Sequence, residues 1–343
     1  MIQSSVPSIF EIAKQAGVSA STVSRTFNSP HLINNETRQR VLEVAQRLNY
    51  SPLRQRVARE QRAAATGVID FHFFAERADD TLQGNAFYSQ VLAGAMAEAA
   101  DLGVQLTLSS SARHDATAPL PQSITGGGAS GMLLVGAADA KVVDRFVDAC
   151  NVIVFVDAHD PSGRHDAIVT DNVGGAEKAV TYLIELGHRR IGFVNGEREV
   201  DSFRERLNGY LCAHYWAGIP YDPATIVYKD PDTLLECLRR PDRPTAFMCA
   251  NDDCAVVIMQ ACYQLGLNIP GDVSLVGFDD VDFSSRTIPP LTSLHVATDL
   301  LGRLAVRRIQ TRLSGGHDAI SLPSFSVVPV RLVERQSCRR ITT

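Results

Sequence analysis

From Gly67 to the C-terminus, short apolar runs alternate with longer amphipathic stretches, and no other feature constrains the fold of this chain as tightly. Gly67–Phe71, Val104–Leu108, Met132–Val135, Val152–Val156, Ile191–Val194, Ala246–Cys249 and Val273–Phe278 have the length and apolar continuity of strands buried on both faces. Between them lie helical stretches such as Tyr88–Leu102 and Gly174–Leu186. Parallel strands need crossover connections, so the alternation predicts parallel α/β units. Sheets of this kind bind ligands beyond the carboxyl ends of their strands, and two lobes facing each other place a cleft between those ends.

At 343 residues the chain exceeds what one hydrophobic core usually organises, so two or three domains are expected. A content of 45% hydrophobic and 21% charged residues excludes a disordered or collagen-like chain. No apolar run approaches membrane length, and MIQSSVPSIFEIAKQ has neither a basic leader nor an apolar core, so a cytoplasmic protein is expected. The seven cysteines, odd in number and without a C-x-x-C pair, fit reduced thiols better than disulfides or structural zinc. The net charge of −5 hides an asymmetry. Residues 1–62 carry nine basic side chains against four acidic ones, net +5, which leaves 24 basic and 34 acidic groups, net −10, on the remainder. A small basic head on an acidic body suits a head that meets a polyanion; a solvated charged helix is the bland alternative.

Ser8-Ile9-Phe10-Glu11 is a capping-box pattern, and Ile9, Ile12, Ala13 and Ala16 form an apolar stripe behind it. Gly17 breaks that helix and Ser19 offers a second cap. Two short helices around a glycine turn make a helix-turn-helix. Asn34 then caps a third helix whose Val41, Val44, Ala45 and Leu48 close a three-helix core. The second helix carries small polar residues and Arg25, as a helix in the DNA major groove requires: hydroxyls for phosphates, a guanidinium for the two acceptors of guanine. A surface helix with routine Ser and Thr caps is the competing reading.

IFEIAKQAGVSASTVSRTFN followed by ETRQRVLEVAQRLNYSP resembles the DNA-binding head of the lac repressor and galactose repressor family. The likeness continues through VTDNVGGA from Val169, LIELGHRRIGFVNG from Leu183, RLNGY from Arg206, PTAFMCAND ending at Asp252, IPGDVSLVGFDD from Ile269, IPPLTSLH from Ile288 and LVERQS from Leu332. It implies an α/β chain with a helix-turn-helix DNA-binding domain at residues 1–50, a hinge at 51–65, and an effector-binding and dimerisation domain at 66–343. That domain would consist of two Rossmann-like lobes of the periplasmic-binding-protein type, one about 66–163 and 295–325, the other about 164–290 and 326–343, with three chain crossings. The DNA-contacting set is then Ser19, Ala20, Ser21, Thr22, Ser24, Arg25, Asn28 and Arg59.

Asp157, Asn251, Asp252, Asp279 and Asp280 follow predicted strands and therefore point into the cleft; a sugar also needs an aromatic face, supplied by Phe87 or Tyr88. The resemblance implies effector contacts at Asp157, Ser202, Arg206, Asn251 and Asp279. The structural alternatives are a helix N-cap for each carboxylate and a salt bridge for Arg206. Gly126–Gly131 satisfies G-x-G-x-x-G but precedes a strand, so a loop is expected rather than a dinucleotide site. The nine scattered histidines, His188 among them, suit capping or surface roles better than metal ligation; no metal, cofactor or catalytic residue is expected.

Two departures from the family stand out. The hinge reads Ser51-Pro52-Leu53-Arg54-Gln55-Arg56-Val57-Ala58-Arg59, with Arg59 where a leucine usually wedges into the minor groove. Either Val57 substitutes in a shifted register or Arg59 enters a narrow groove by charge. The loop Phe71–Asn85, with Glu76, Asp79 and Asp80, is also longer than the family norm. The expected function is a homodimeric, nucleoid-associated transcription regulator, most simply a repressor of a palindromic double-stranded operator controlled by a sugar-like effector, with no membrane partner. A sugar transport receptor is opposed by the basic head and the absent leader, and a cytoplasmic sugar enzyme by the lack of any nucleophile–base spacing.

Overall fold

The structure is a computed structural model and describes residues 9–19, 22–23, 26, 33–47, 67–76, 81–197, 200–314 and 322–341. The chain divides into two compact units, Met1–Thr66 and Gly67–Thr343. In the first, helices α1 (Ile9–Ala16) and α2 (Asn35–Arg47) share a buried cluster of Ala13, Ala16, Val23, Val41, Val44 and Ala45. Gly17 ends α1 at φ +65°, a left-handed conformation that costs glycine nothing. Both expected caps form: Ser19 Oγ accepts from the Thr22 amide at 3.1 Å and Asn34 Oδ1 from the Thr37 amide at 2.8 Å. Thr22, Val23 and Thr26 are helical. Ala20, Ser21, Ser24, Arg25, Asn28, Val57 and Arg59 lie outside the described residues.

The second unit contains two six-stranded sheets among its described residues. One has the order β11-β5-β4-β3-β1-β2, built from β1 (Val68–Ala75), β2 (Gln105–Ala112), β3 (Ala129–Val135), β4 (Ile153–Val156), β5 (Asp166–Thr170) and β11 (Phe325–Val328), all parallel. The other has the order β12-β10-β9-β8-β6-β7, from β6 (Ile191–Asn195), β7 (Ile226–Tyr228), β8 (Ala246–Cys249), β9 (Ser274–Asp279), β10 (Thr292–His295) and β12 (Arg331–Val333); only β12 is antiparallel. Helices α3 (Ala86–Leu102), α4 (Gln122–Thr125), α5 (Ala140–Ala149), α6 (Asn172–Glu185), α7 (Asp201–Ala217), α8 (Pro231–Arg239), α9 (Asp252–Gln264) and α10 (Thr298–Ser314) connect the strands. In each sheet the strand order reverses beside β1 or β6, which makes the ends of β1 and β3, and of β6 and β8, the switch points where such sheets bind ligands.

Sheet pairing moves the lobe boundaries away from those expected. β5 belongs to the first lobe, because Ala167 pairs with Phe325 and Val154 with Asp166, so the first crossing follows Thr170 instead of residue 163. β10 reaches His295 in the second lobe, and β11 keeps Val328 in the first. The three crossings therefore fall between β5 and α6, β10 and α10, and β11 and β12. Helix α10 returns to the first lobe and lies against α3 so closely that a Cβ on Gly94 would sit 2.0 Å from Asp299 O, and one on Gly302 2.0 Å from Val91 O. Only glycine permits that approach.

Two further expectations need correcting, those for Phe71–Ala75 and His188, while the loop expected at the glycine run is found as a turn. Phe71–Ala75 is strand and not loop, since it pairs with both β2 and β3; a Thr81-capped turn, Leu82–Gly84, then leads to α3. Before β3, Gly126 ends the short helix α4 and Gly127 turns the chain at φ +68°, so the glycine run is a helix-to-strand turn. His188 is 1% exposed and not at the surface: its ring bonds Thr245 Oγ1 at 2.8 Å, Ser274 Oγ at 3.1 Å and Arg339 O at 3.2 Å, tying the C-terminal segment to β9. All seven cysteines are free thiols.

Candidate ligand cleft

Side chains that follow the strands of both lobes converge on one cavity of about 330 Å³. Its first-lobe wall takes Glu76 from beyond β1, Arg113 from beyond β2 and Asp157 from beyond β4; its second-lobe wall takes Glu197 from beyond β6, Lys229 from beyond β7, Asn251 from beyond β8 and Asp279 from the end of β9. The N-terminus of α3 contributes Phe87 and Tyr88, and the first turns of α7 contribute Ser202, Phe203 and Arg206. The seven residues expected to hold an effector, Phe87, Tyr88, Asp157, Ser202, Arg206, Asn251 and Asp279, are thus brought together.

Arg206 organises the second-lobe wall. It is 2% exposed, lies 3.8 Å from the centroid of the Phe278 ring, and donates through Nε to Asn172 Oδ1 at 2.9 Å and through Nη1 to Ala250 O at 2.7 Å. Its Nη2 is 3.1 Å from Asp279 Oδ1, within ion-pair distance, yet the N–H is not aimed at that oxygen, which has no hydrogen-bond partner. The structural alternative raised for this arginine therefore holds together with its place in the cavity. Asp279 sits at φ +104° and Asp157 at φ +55°, left-handed conformations that carry strain in a non-glycine residue. Strain at both carboxylates, on facing lobes, is where a ligand site stores it.

Asp157 accepts from Tyr88 Oη at 2.9 Å through Oδ2, while its buried Oδ1 has no partner. Burial pushes the Asp157 carboxyl above its usual range against the pull of Arg206, and pushes Asp279 well above it. Burial, then the Asp157 charge, raises the Tyr88 phenol well above 10, so it stays a donor. Two buried carboxylate oxygens without donors, one on each lobe, call for hydroxyl or N–H groups between them.

Asn251 caps α9, its Oδ1 accepting from the Cys254 amide at 2.9 Å, and its Nδ2 amide has no such role in the cap. Asp252 is structural: it accepts from the Val281 amide, Ser284 Oγ and Ser293 Oγ at 3.0, 2.6 and 2.6 Å, and burial against those hydrogen bonds sets its pKa at about 6. Asp280, also expected in the cleft, pairs with Arg335 at 2.6 Å and His295 at 3.0 Å.

Several cavity residues were not foreseen. Glu197 pairs across the lobes with Arg113 and within its own lobe with Lys229 at 3.3 Å. Burial works to raise Glu197, but Arg113, a hydrogen bond with Glu76 and Lys229 hold it below its usual value, while burial and that same hydrogen bond raise Glu76. The two neighbouring carboxyls are thus pushed in opposite directions, Glu76 up and Glu197 down. On another edge, His159 of the first lobe bonds Glu205 of α7 at 2.7 Å, and Glu205 accepts from Asn172 at 2.9 Å.

Residues 8–52 match the family described as bacterial regulatory proteins of the lacI family, and residues 180–338 match a periplasmic binding protein-like domain. The ribose operon repressor of Escherichia coli is 29% identical over 95% of this chain and 98% of its own length. The transcriptional repressor PurR of Haemophilus influenzae is 27% identical over 97% and 99%. Among solved structures, the regulator CelR in complex with cellobiose covers 96% of this chain and 99% of that one at 26% identity and a TM-score of 0.68. A lac repressor dimer bound to operator and an anti-inducer covers 98% and 100% at 27% identity and a TM-score of 0.68. With residues 8–52 and 180–338 matched in order, the chain carries a DNA-binding head of the lacI family of bacterial regulatory proteins followed by a periplasmic binding protein-like domain.

Proposed function

We propose that this chain is a ligand-responsive transcriptional repressor: the head binds a two-fold operator as part of a homodimer, and a polyhydroxyl effector in the interlobe cavity controls it. It is a DNA-binding regulator and not an enzyme. The observation that carries the sensor reading is the pair of buried acceptors, Asp157 Oδ1 and Asp279 Oδ1, on opposite walls of one cavity that also exposes Phe203 and Phe87. Sugar hydroxyls satisfy such oxygens and the rings pack on apolar C–H faces. The ribose operon repressor among the relatives, the CelR complex with cellobiose and the lac repressor complex with operator support the same assignment.

The mechanism is linkage. A ligand that contacts both walls binds the closed arrangement of the lobes more tightly than an open one, and so shifts their balance by its differential affinity. In the head, Ser19 and Thr22 stand at the N-terminal end of the second helix, where hydroxyls meet phosphates. Ala20, Ser21, Ser24, Arg25 and Asn28 complete the proposed reading surface, and Arg59 the hinge contact. Selection of the full chain on random duplex DNA tests the assignment: a recovered palindrome with a preferred sequence supports it, and uniform recovery overturns it.

A further inference from the structure

Resting on the reading of the cavity as an effector site, we infer that it is charge-selective: it takes uncharged polyhydroxyl compounds and excludes their phosphorylated or carboxylated derivatives. A bound anion needs a cation or a cluster of free N–H groups. Three cations line the cavity among the described residues, and each already faces a carboxylate: Arg206 faces Asp279, while Arg113 and Lys229 both face Glu197. Two of the three Arg206 nitrogens are further committed to Asn172 and Ala250.

The helix N-termini at the cavity offer no substitute. Asn85 Oδ1 occupies the Phe87 and Tyr88 amides of α3, Asn251 occupies the Cys254 amide of α9, and α7 places Asp201 in its own first turn. Against the three cations stand six carboxyl groups in the lining, and Asp253 forms no hydrogen bond or ion pair among the described residues. Meanwhile Asp157 Oδ1 and Asp279 Oδ1, neither of which receives a hydrogen bond although the latter faces Arg206, are acceptors. They welcome hydroxyl donors and repel phosphate or carboxylate oxygens at the same position.

The test is isothermal titration of the full-length protein with matched sets: ribose and ribose 5-phosphate; glucose, glucose 6-phosphate and glucuronate; cellobiose and cellobionate. In whichever set binds, the anionic member should bind at least about 100-fold more weakly than its neutral parent. Glu197→Gln, which frees Arg113 and Lys229, should narrow that ratio by about 10-fold or more. An anionic member that binds as tightly as its parent, or a ratio that Glu197→Gln leaves unchanged, overturns charge selectivity while the effector reading stands. Failure of every member of every set to bind overturns the effector reading and this inference with it.

Discussion

Replacing Arg206 with methionine keeps much of the side chain's volume and removes its charge and hydrogen bonds, so it isolates the buried electrostatics of the cavity. Three groups lose a partner at once: Asn172 Oδ1, Ala250 O and the Asp279 carboxylate. Leaving one member of a buried ion pair uncompensated costs about 3–5 kcal/mol, far more than the intact pair contributes net. Arg206→Met should therefore lower the unfolding free energy of the Gly67–Thr343 unit by about that amount at pH 7. Most of the penalty belongs to Asp279, so Arg206→Met/Asp279→Asn should recover the larger part of it. The pH dependence has a definite sign. Asp279 is already raised above its ordinary 3.8, and losing Arg206 raises it further, so the folded state binds a proton that the unfolded state releases. The single variant then regains stability as pH falls through the raised folded value towards 3.8, whereas the double variant does not. Urea unfolding between pH 5 and 8 reads both effects. Equal destabilisation of single and double variants, with no pH dependence in either, would refute the argument that an uncompensated Asp279 charge dominates.

Gly94→Ala should destabilise the α3–α10 contact by about 1–3 kcal/mol or more, because the new Cβ meets the Asp299 backbone oxygen and not a yielding side chain; a urea midpoint within error of wild type contradicts this. The His159–Glu205 contact, about a third exposed at His159, should be worth about 1 kcal/mol or less. Its hydrogen bond with Glu205 raises His159 above 6.5, so this stability is fully present below pH 6.5 and fades as pH rises through the folded value. Glu205→Gln should accordingly differ from wild type most at the acid end of that window, and a difference that grows towards pH 8 reverses the sign. Arg25→Ala should cost roughly 1–3 kcal/mol on the selected operator with little loss of non-specific binding, read by competition gel shift. Arg59→Leu should lower the salt slope by roughly one phosphate equivalent if the hinge acts by charge, and leave it unchanged if Val57 wedges instead.

The rule that ligands meet the carboxyl ends of parallel strands located Asp157, Asn251 and Asp279, because apolar runs such as Val152–Val156 announce their own ends. Arg113, Glu197 and Lys229 obey the same rule and were missed. β2, QLTLSSSA, is a half-exposed edge strand whose Thr107, Ser109 and Ser111 face Asp70 and His72, and β7 is only three residues long. The apolar run Val104–Leu108 marks only the first half of β2, whose polar second half hides its end, and β7 is too short to make such a run. Lobe boundaries were misplaced for a different reason: β5 is assigned by pairing with β11, more than 150 residues away, which no local pattern records. Nor does a histidine after a glycine reveal that it will be buried under a C-terminal segment, as His188 is. Arg206 was identified by resemblance, yet its double service, holding Asn172 and Ala250 while facing Asp279, emerges only once α6, α7 and β8 are packed together.

Reciprocal linkage between the two proposed sites tests the account most directly. Operator affinity is measured for the full chain with and without a saturating sugar that binds the cavity, and sugar affinity is then measured with and without saturating operator. The account predicts that each ligand changes the affinity of the other by the same factor, roughly 5–150-fold for an ordinary coupling, and that Asp157→Asn/Asp279→Asn abolishes the coupling along with sugar binding. Operator affinity unchanged by a bound sugar would contradict it.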